Sequence, residues 1–427
     1  MMSGKPIAST AHTMTRTVCI ATIGAWLAVG AAVPARANVI TDWDEKAIAA
    51  VAPLASAPSH STPYAAYRMM GLVHAAMFDA VNSIERRYRP YLVQLPADRA
   101  ASKEAAAAAA AAAVLATIDA RTAAEVRAAL ASYLAPIADG AAKSEGVKLG
   151  EAVAARVLAA RASDGSGAAD DYRPRTAPGV YVPTPIMRGP MWGGVKPFAM
   201  ASPSQFRPGP PVALDSKEWA TDFNEIKDYG RESTKRTTQQ TETARFWLVG
   251  GPVAYHPFLR QLATAKQMGV VESARFMALA AIAINDALIA VLDAKYHYHF
   301  WRPMTAIRNG DIDGNPATDR EATWQPIADT PMHPEYPCAH CILSGSIAAV
   351  VKAVLGTADI PEIATTSPTA PGVTHRWTSM TAFTDEVASA RIWAGFHYRF
   401  STRVGTDMGL RLGEFAARSV MQPVSSP

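Results

Sequence analysis

Apolar residues return at helical spacing along most of the chain. From position 64 to 87 they recur every three or four residues, as on a helix with one buried face. Residues 105–113 are nine consecutive alanines, the amino acid with the highest helix propensity. No segment alternates apolar and polar residues over the length of a strand, so we predict an all-α fold without a sheet core. The same criteria predict further helices over 103–120, 122–134, 143–163, 216–230, 238–249, 256–268, 271–295, 341–355, 381–398 and 402–419.

Two segments rich in proline and glycine interrupt this pattern. The first covers residues 163–215 and is long enough to connect two groups of helices, and the second covers 310–337. We therefore predict two helical bundles with long irregular loops. The first is an N-terminal helical region with a Pro/Gly-rich linker over 38–215, and the second is a C-terminal helical domain over 216–427. Irregular connections of this length are often functional.

The first 37 residues have the pattern of a secretory signal. They contain three basic residues and no acid, an apolar run over 18–33, and the sequence Ala-Arg-Ala at 35–37. We predict a signal peptide over 1–37, cleaved before Asn38, and hence a secreted or periplasmic protein. An uncleaved membrane anchor is the alternative interpretation of the same pattern.

The amino-acid composition excludes several classes of protein. The 427 residues are 49% hydrophobic and 18% charged, which excludes a disordered chain. The 41 basic residues nearly balance 37 acids and form no basic run, so we expect no nucleic-acid partner. The apolar segment 270–294 carries five charged or amide side chains, so we expect no membrane span after signal removal. The sequence leaves the oligomeric state open.

The first segment with candidate functional residues is 295–303, Lys-Tyr-His-Tyr-His-Phe-Trp-Arg-Pro. Lys295 and Arg302 are seven positions apart, about two helical turns, so they would project from one helix face. Pro303 should end or kink that helix. Two stacked cations repel each other unless an anion lies between them. The alternative is a pair of surface cations.

A second candidate segment is Pro337-Cys338-Ala339-His340-Cys341, which opens an apolar helix. The first N–H groups of a helix lack intrahelical partners and attract anions. His340 would lie in that first turn. The alternative is an ordinary helix cap with a passive histidine.

The third candidate segment contains Arg391, His397 and Ser401. Arg391 and His397 are six residues apart, so they converge only if Arg391 reaches around the helix or the helix ends near His397. A buried structural histidine is the alternative. Together, the three segments would supply two arginines, one lysine, two histidines and a helix N-terminus, which can form a cradle for a tetrahedral oxyanion.

These segments resemble the signature of the type-2 phosphatidic acid phosphatase and vanadium-dependent haloperoxidase superfamily. That signature is K-x6-R-P, then P-S-G-H, then S-R-x5-H-x3-D. The chain has Lys295-x6-Arg302-Pro303, then Pro337-Cys338-Ala339-His340, then Ala390-Arg391-x5-His397-x3-Ser401. The helical character and the secretion signal are similar to the soluble, secreted bacterial haloperoxidase-like branch.

The resemblance implies that the C-terminal bundle holds the oxyanion. Lys295, Arg302 and Arg391 would bind its equatorial oxygens, with further donors from the Cys338 position and from the N–H of Ala339. His397 would be the axial ligand of vanadium, or the nucleophile toward a phosphoryl group. His340 would be the acid–base partner of the apical oxygen. The implied cofactor is vanadate, with phosphate as a substrate or analogue at the same site.

Three departures from the signature bear on this interpretation. Cys338 replaces a serine and is a weaker hydrogen-bond donor. Ala339 replaces a glycine and restricts the backbone. Ser401 replaces an aspartate that would orient His397. Because an oxidant would attack a free thiol beside the site, either Cys338 and Cys341 form a disulfide or the enzyme is not a peroxidase; we hypothesise the disulfide.

Three functions remain open on these grounds, beside a non-catalytic anion-binding protein, which the three changed motif positions would also allow. The first is a haloperoxidase, an oxidoreductase acting on hydrogen peroxide and halide with vanadate. The second is a secreted acid phosphatase that hydrolyses a phosphate ester through a phosphohistidine at His397. The third is a periplasmic protein that uses the Cys338-x-x-Cys341 pair for redox chemistry or His297 and His299 to hold a metal. However, no thioredoxin-like strand precedes the cysteines, and the two histidines would not share a helix face.

Overall fold

The computed structural model describes residues 38–183, 186–231 and 235–424. The predicted signal peptide lies outside the described residues. The helices of the described part, in chain order, are α1 (Val39–Ser56), α2 (Tyr64–Glu85), α3 (Lys103–Leu115), α4 (Ala120–Leu134), α5 (Ala141–Ala160), α6 (Lys217–Tyr229), α7 (Thr238–Phe246), α8 (His256–Ala265), α9 (Val270–Tyr298), α10 (Pro303–Arg308), α11 (Ala339–Leu355), α12 (Met380–Trp393) and α13 (Arg399–Ser419). The all-α prediction is confirmed.

Side-chain caps explain several of the helix starts. The Asn38 side chain accepts from the N–H of Ile40, and Thr41 accepts from the N–H of Asn38, so two N–H groups at the start of α1 are paired. The Ser102 and Ser379 side chains each accept from the third N–H of α3 and α12. The spacing of apolar residues did not predict α1, which begins directly after the predicted cleavage site.

Helix α9 forms the centre of the core. It is long and apolar enough to cross a membrane by length and composition alone, but 94% of its most apolar window is buried inside the fold. It packs against α2, α11, α1, α13 and α8. A helix that is apolar on every face requires this kind of burial. The polar side chains that argued against a membrane span, such as Asp286, are used inside the protein.

The Pro/Gly-rich segment 163–215 is tied to α9. Both carboxylate oxygens of Asp286 accept backbone N–H groups, from Phe198, Ala199 and Met200. About two turns further along α9, Asp293 forms a two-point ion pair with Arg207. Residues on both sides of position 215 therefore pack together, and the division of the chain at that point stays a prediction.

A two-stranded antiparallel hairpin, β1 (Asp359–Ser367) and β2 (Ala370–Ser379), follows α11. The spacing of apolar residues did not predict this hairpin. Ile363 pairs with Trp377 on the buried face, but a register shift lies between Asp359 and Ile363. Such a bulge breaks the alternation of apolar and polar residues that identifies a strand.

Glycines bring α11 and α13 into close contact. A Cβ at Gly409 would lie 2.2 Å from the Ile342 carbonyl oxygen, and one at Gly345 would lie 2.5 Å from the Thr406 carbonyl oxygen. A Cβ at Gly405 would lie 2.6 Å from the Cys338 carbonyl oxygen. The two backbones therefore touch directly, and this contact fixes the start of α11 against the start of α13.

Candidate oxyanion site

The predicted site residues come from the ends of four helices. Lys295 lies in the last turn of α9, and Arg302 is the N-cap of α10. Arg391 lies in the last turn of α12, and His397 lies in the connection to α13. His340 is the second residue of α11. Because the ends of these helices lie close together, the five side chains meet in one region of the protein.

The geometry corrects two expectations about local structure. Lys295 and Arg302 do not share a helix, because α9 ends at Tyr298 and His299 takes a left-handed conformation. The predicted helix 381–398 ends at Trp393, and Gly395 follows with φ +79°. A Cβ there would lie 2.4 Å from the Gly230 carbonyl oxygen, so glycine is required. This turn carries His397 back toward Arg391.

Three cations are buried together at the site. Lys295, Arg302 and Arg391 are at most 2% exposed. Burial, with Arg302 nearby, holds the pKa of Lys295 well below its usual range. Burial also lowers the pKa of Arg391, to about 9. The buried carboxyl that faces Lys295 and Arg302 is Glu335. The positive charge therefore exceeds the negative charge that faces it.

Backbone carbonyls hold these cations in place. Lys295 Nζ donates to the carbonyls of Pro334 (2.9 Å) and Glu335 (2.7 Å). Arg302 donates from Nε to the His333 carbonyl and from Nη1 to the Phe396 carbonyl, both at 2.9 Å. The cations are thus oriented before any ligand binds.

Arg391 is less fully paired. Its Nη1 donates to the Trp247 carbonyl, and its guanidinium lies 4.8 Å from the centre of the Phe396 ring. Its buried Nε has no hydrogen-bond partner within the described part of the chain. A buried guanidinium N–H without a partner is costly, and an anion would satisfy it.

His397 lies between a cation and a carboxylate. Arg302 Nη1 is 3.2 Å from His397 Nε2, and Glu335 Oε1 is 2.7 Å from His397 Nδ1. Because guanidinium groups only donate, Nε2 must accept and Nδ1 must carry the proton. Burial and the cations Arg302 and Lys295 hold the pKa of His397 well below its usual range. The ring is therefore neutral, with the Nε2 lone pair facing Arg302.

His340 is also neutral. Its Nε2 lies 3.0 Å from the Val249 carbonyl, which can only accept, so Nε2 carries the proton. Burial and then Arg391 lower its pKa to about 3. This leaves Nδ1 as an unprotonated base near the cations.

A cavity of about 450 Å³ opens beside the site. Ala339, His340 and Arg391 line it, whereas Lys295 and His397 are not among its lining residues. The remaining polar and apolar side chains around it come from both halves of the chain, and they include Tyr64, Tyr67, Arg188, Leu248, Leu288, Met332, His333, Leu343 and Phe396. The cavity has room for a small organic molecule next to an oxyanion.

The structure joins Cys338 and Cys341 through a disulfide in the first turn of α11. The expectation that Cys338 binds the oxyanion is not supported, because a half-cystine has no S–H to donate. Its backbone N–H is also engaged, with the Ser401 carbonyl. Ala339 follows it and lines the cavity, and its N–H has no hydrogen-bond partner among the described residues.

Two residues of the site were not assigned from the sequence. Glu335 and His333 lie just before the second motif, and His333 Nδ1 accepts from Arg302 Nη2 at 3.0 Å. Glu335 contacts His397 across 62 positions of sequence. The only sequence signal was an acid and a histidine beside a motif in an otherwise apolar and proline-rich stretch.

A separate buried cluster has the residue types of a metal site. Asp44 Oδ1 accepts from His74 Nε2 (2.8 Å) and His256 Nδ1 (2.6 Å), and Asp44 Oδ2 accepts from Arg260 (2.8 Å). The other nitrogens of both rings have no partner in the described structure, whereas metal-binding histidines usually donate through that second nitrogen. We therefore assign the cluster a structural role, since it links α1, α2 and α8. Its carboxylate would repel an oxyanion.

Residues 275–426 match the family model of the VCPO second helical-bundle domain. Vanadium chloroperoxidase from Curvularia inaequalis is 27% identical over an alignment that covers 28% of this chain. That alignment spans 23% of the relative, so the chain matches about a quarter of that protein's length.

Solved structures extend the likeness over most of the fold. The crystal structure of the first bacterial vanadium-dependent iodoperoxidase superposes with a TM-score of 0.73 and 23% identity, over 89% of this chain and 97% of that one. An apo-type bacterial vanadium-dependent chloroperoxidase superposes with a TM-score of 0.69 and 19% identity, over 85% and 94% of the two chains. Residues 275–426 are therefore similar to the second helical-bundle domain of vanadium chloroperoxidase, and the chain has the helical-bundle fold of the bacterial vanadium-dependent haloperoxidases.

Proposed function

We propose that the protein is a vanadate-dependent haloperoxidase that uses hydrogen peroxide to oxidise a halide. One observation carries the proposal. A neutral His397 presents the Nε2 lone pair beside Arg302, within a buried group that also contains Lys295 and Arg391. A nitrogen lone pair surrounded by buried cations can bind the central atom of an oxyanion, while the cations bind its oxygens.

The residues present fit vanadate on chemical grounds. Among the described residues, Lys295, Arg302 and Arg391 are buried against one carboxyl, that of Glu335, so a bound oxyanion would balance the charge. The unpartnered Nε of Arg391 and the free N–H of Ala339 would each gain an acceptor. When bound, vanadate supplies the Lewis acidity that makes peroxide reactive toward halide.

Each side chain then has a defined task. Lys295, Arg302 and Arg391 bind oxygens of the anion and stabilise its charge. His397 Nε2 would hold the vanadium through its lone pair. His340 accepts or returns a proton at Nδ1, because its Nε2 proton is held by Val249.

A secreted acid phosphatase is the second candidate. The same His397 Nε2 would act as the nucleophile toward phosphorus, and the 450 Å³ cavity has room for the organic part of a phosphate ester. Phosphate and vanadate share a geometry, so the binding residues serve either reaction.

The third alternative, a Cys-x-x-Cys redox protein, receives no support from the geometry. Cys338 and Cys341 are both 0% exposed, so a partner thiol has no access to the disulfide. The proposal also places the enzyme outside the cytoplasm, on the signal pattern of residues 1–37.

The test is a pair of assays on the purified protein, each with and without orthovanadate. Oxidation of iodide, bromide or chloride by hydrogen peroxide that requires vanadate supports the haloperoxidase. Hydrolysis of a phosphomonoester without halide oxidation selects the phosphatase. His397→Ala should abolish either activity. His297→Ala is the matched control, because His297 is exposed at the end of α9 and should leave activity unchanged. Absence of both activities overturns the proposal.

A further inference from the structure

The carboxylate next to His397 comes from outside the three motifs. Glu335 lies in the connection between α10 and α11, and it is 0% exposed. Its Oε1 accepts from His397 Nδ1 at 2.7 Å and from the Tyr398 N–H at 3.2 Å. We propose that Glu335 is the positioning residue of the site, which fixes the tautomer and the orientation of the His397 ring. This inference rests on the proposed function for its consequence, since an oriented Nε2 matters only if an anion binds there.

Glu335 is itself held by the residues that bind the anion. Its N–H donates to the Phe300 carbonyl at 2.8 Å, and its carbonyl accepts from Lys295 Nζ at 2.7 Å. Two positions earlier, the His333 carbonyl accepts from Arg302 Nε. The segment that carries the carboxylate is therefore tied to two of the cations, so a shift of Glu335 would also move Lys295 and Arg302.

Two neighbours select the same tautomer of His397 from opposite sides. With the proton on Nδ1, the ring donates to Glu335 and accepts from Arg302. With the proton on Nε2, an N–H would face the Arg302 N–H groups, and a lone pair on Nδ1 would face the carboxylate. Both contacts would then be repulsive, so the arrangement keeps the Nε2 lone pair available for the anion.

Ser401 lies where the superfamily signature has an acid, four residues after His397. Burial raises the pKa of the Glu335 carboxyl to about 7, while Lys295, Arg302 and then the nearby Ser401 hydroxyl act to lower it. Serine is too short and carries no charge to orient the ring as a carboxylate does. In this chain the carboxylate reaches His397 from the segment before α11 rather than from α13.

The first experiment needs no variant. The ¹⁵N chemical shifts of the His397 ring in the anion-free protein report which nitrogen carries the proton. The proposal predicts a proton on Nδ1, and a proton on Nε2 would overturn it. This readout does not depend on vanadate, so it decides the inference even if the wild-type protein binds no vanadate and the proposed function fails.

The second experiment measures orthovanadate binding by isothermal titration calorimetry. Glu335→Gln keeps the shape but loses the charge, and it should weaken vanadate binding 10- to 100-fold, the usual effect of losing an outer partner of a ligating histidine. Glu362→Gln removes an exposed acid paired with Arg376 and should leave the affinity unchanged.

A rescue separates positioning from folding. Glu335→Ala should bind vanadate weakly, and adding Ser401→Asp should recover at least 10-fold of the loss, because it returns a carboxylate to the neighbourhood of His397. Recovery, together with a restored Nδ1 proton, supports the inference. Wild-type affinity in Glu335→Gln, or weakened binding with no change of tautomer and no rescue, overturns it.

Discussion

Adding one methyl group at Gly409 should separate the two helices whose N-termini frame the site. A Cβ at this position would lie 2.2 Å from the Ile342 carbonyl oxygen and 2.9 Å from the Ser346 nitrogen. Both atoms belong to the backbone of α11, so no side-chain rotation relieves the overlap. Ordinary carbon–oxygen contact begins near 3.4 Å. The helices must therefore move apart by about 1 Å.

The expected cost follows from two opposing effects. Overpacking a tightly packed core costs about 1–3 kcal/mol, and this overlap with fixed backbone belongs at the upper end of that range. Alanine has a higher helix propensity than glycine, which returns about 1 kcal/mol. We therefore expect Gly409→Ala to lower the free energy of unfolding by about 2 kcal/mol.

Guanidinium chloride unfolding measures the effect. The matched control is Asp407→Ala, on the exposed face of the same helix, which should change the free energy of unfolding by less than about 0.5 kcal/mol. Unfolding of Gly409→Ala at the wild-type midpoint, or above it, would refute the argument that backbone contact between α11 and α13 fixes the site.

Three other predictions concern the site directly. Arg391→Lys should weaken orthovanadate binding at least 10-fold by calorimetry, because one ammonium cannot replace a guanidinium that contacts Trp247 and also offers a free Nε; unchanged affinity would contradict this role. Because the pKa of His340 is lowered to about 3, the unfolded chain gains a proton below pH 6.5 that the folded chain refuses, so stability falls as pH falls. Between pH 8 and pH 5 this group should cost the anion-free protein about 2 kcal/mol in denaturant unfolding, and His340→Gln should have a smaller pH dependence than the wild type. Thiol counting on the denatured, unreduced protein should find none free at Cys338 and Cys341, and two free thiols would refute the disulfide.

The helical fold could be predicted from periodicity because most of its helices have one buried face. Helix α9 is the informative exception, since it is apolar all round and could equally have been a membrane span. Its five polar side chains argued against a span, and two of them, Asp286 and Asp293, anchor the segment 163–215. The hairpin 359–379 could not be found in the same way, because its bulge removes the alternation of buried residues.

The candidate site was predictable in its cations and histidines but not in its supporting contacts. Lys295, Arg302, His340, Arg391 and His397 were identified by their motifs, and the structure brings them to one region. Spacing along a helix was a poor guide to how they converge, because α9 and α12 end before Arg302 and His397.

The partner of His397 illustrates the limit of sequence patterns. The sequence showed only that Ser401 replaces an acid, which suggested a loosely held ring. Glu335 supplies a carboxylate from 62 positions away, and no local pattern encodes a contact of that range. Long-range hydrogen bonds of this kind are set by tertiary packing.

The central claim is that Lys295, Arg302, Arg391 and His397 together hold one oxyanion. A crystal structure of the protein with orthovanadate, recorded with anomalous scattering from vanadium, tests it most directly. We predict an anomalous peak at bonding distance from His397 Nε2, with oxygens contacting the three cations. The absence of a peak there at saturating vanadate, or a peak at Asp44, His74 and His256 instead, would contradict it.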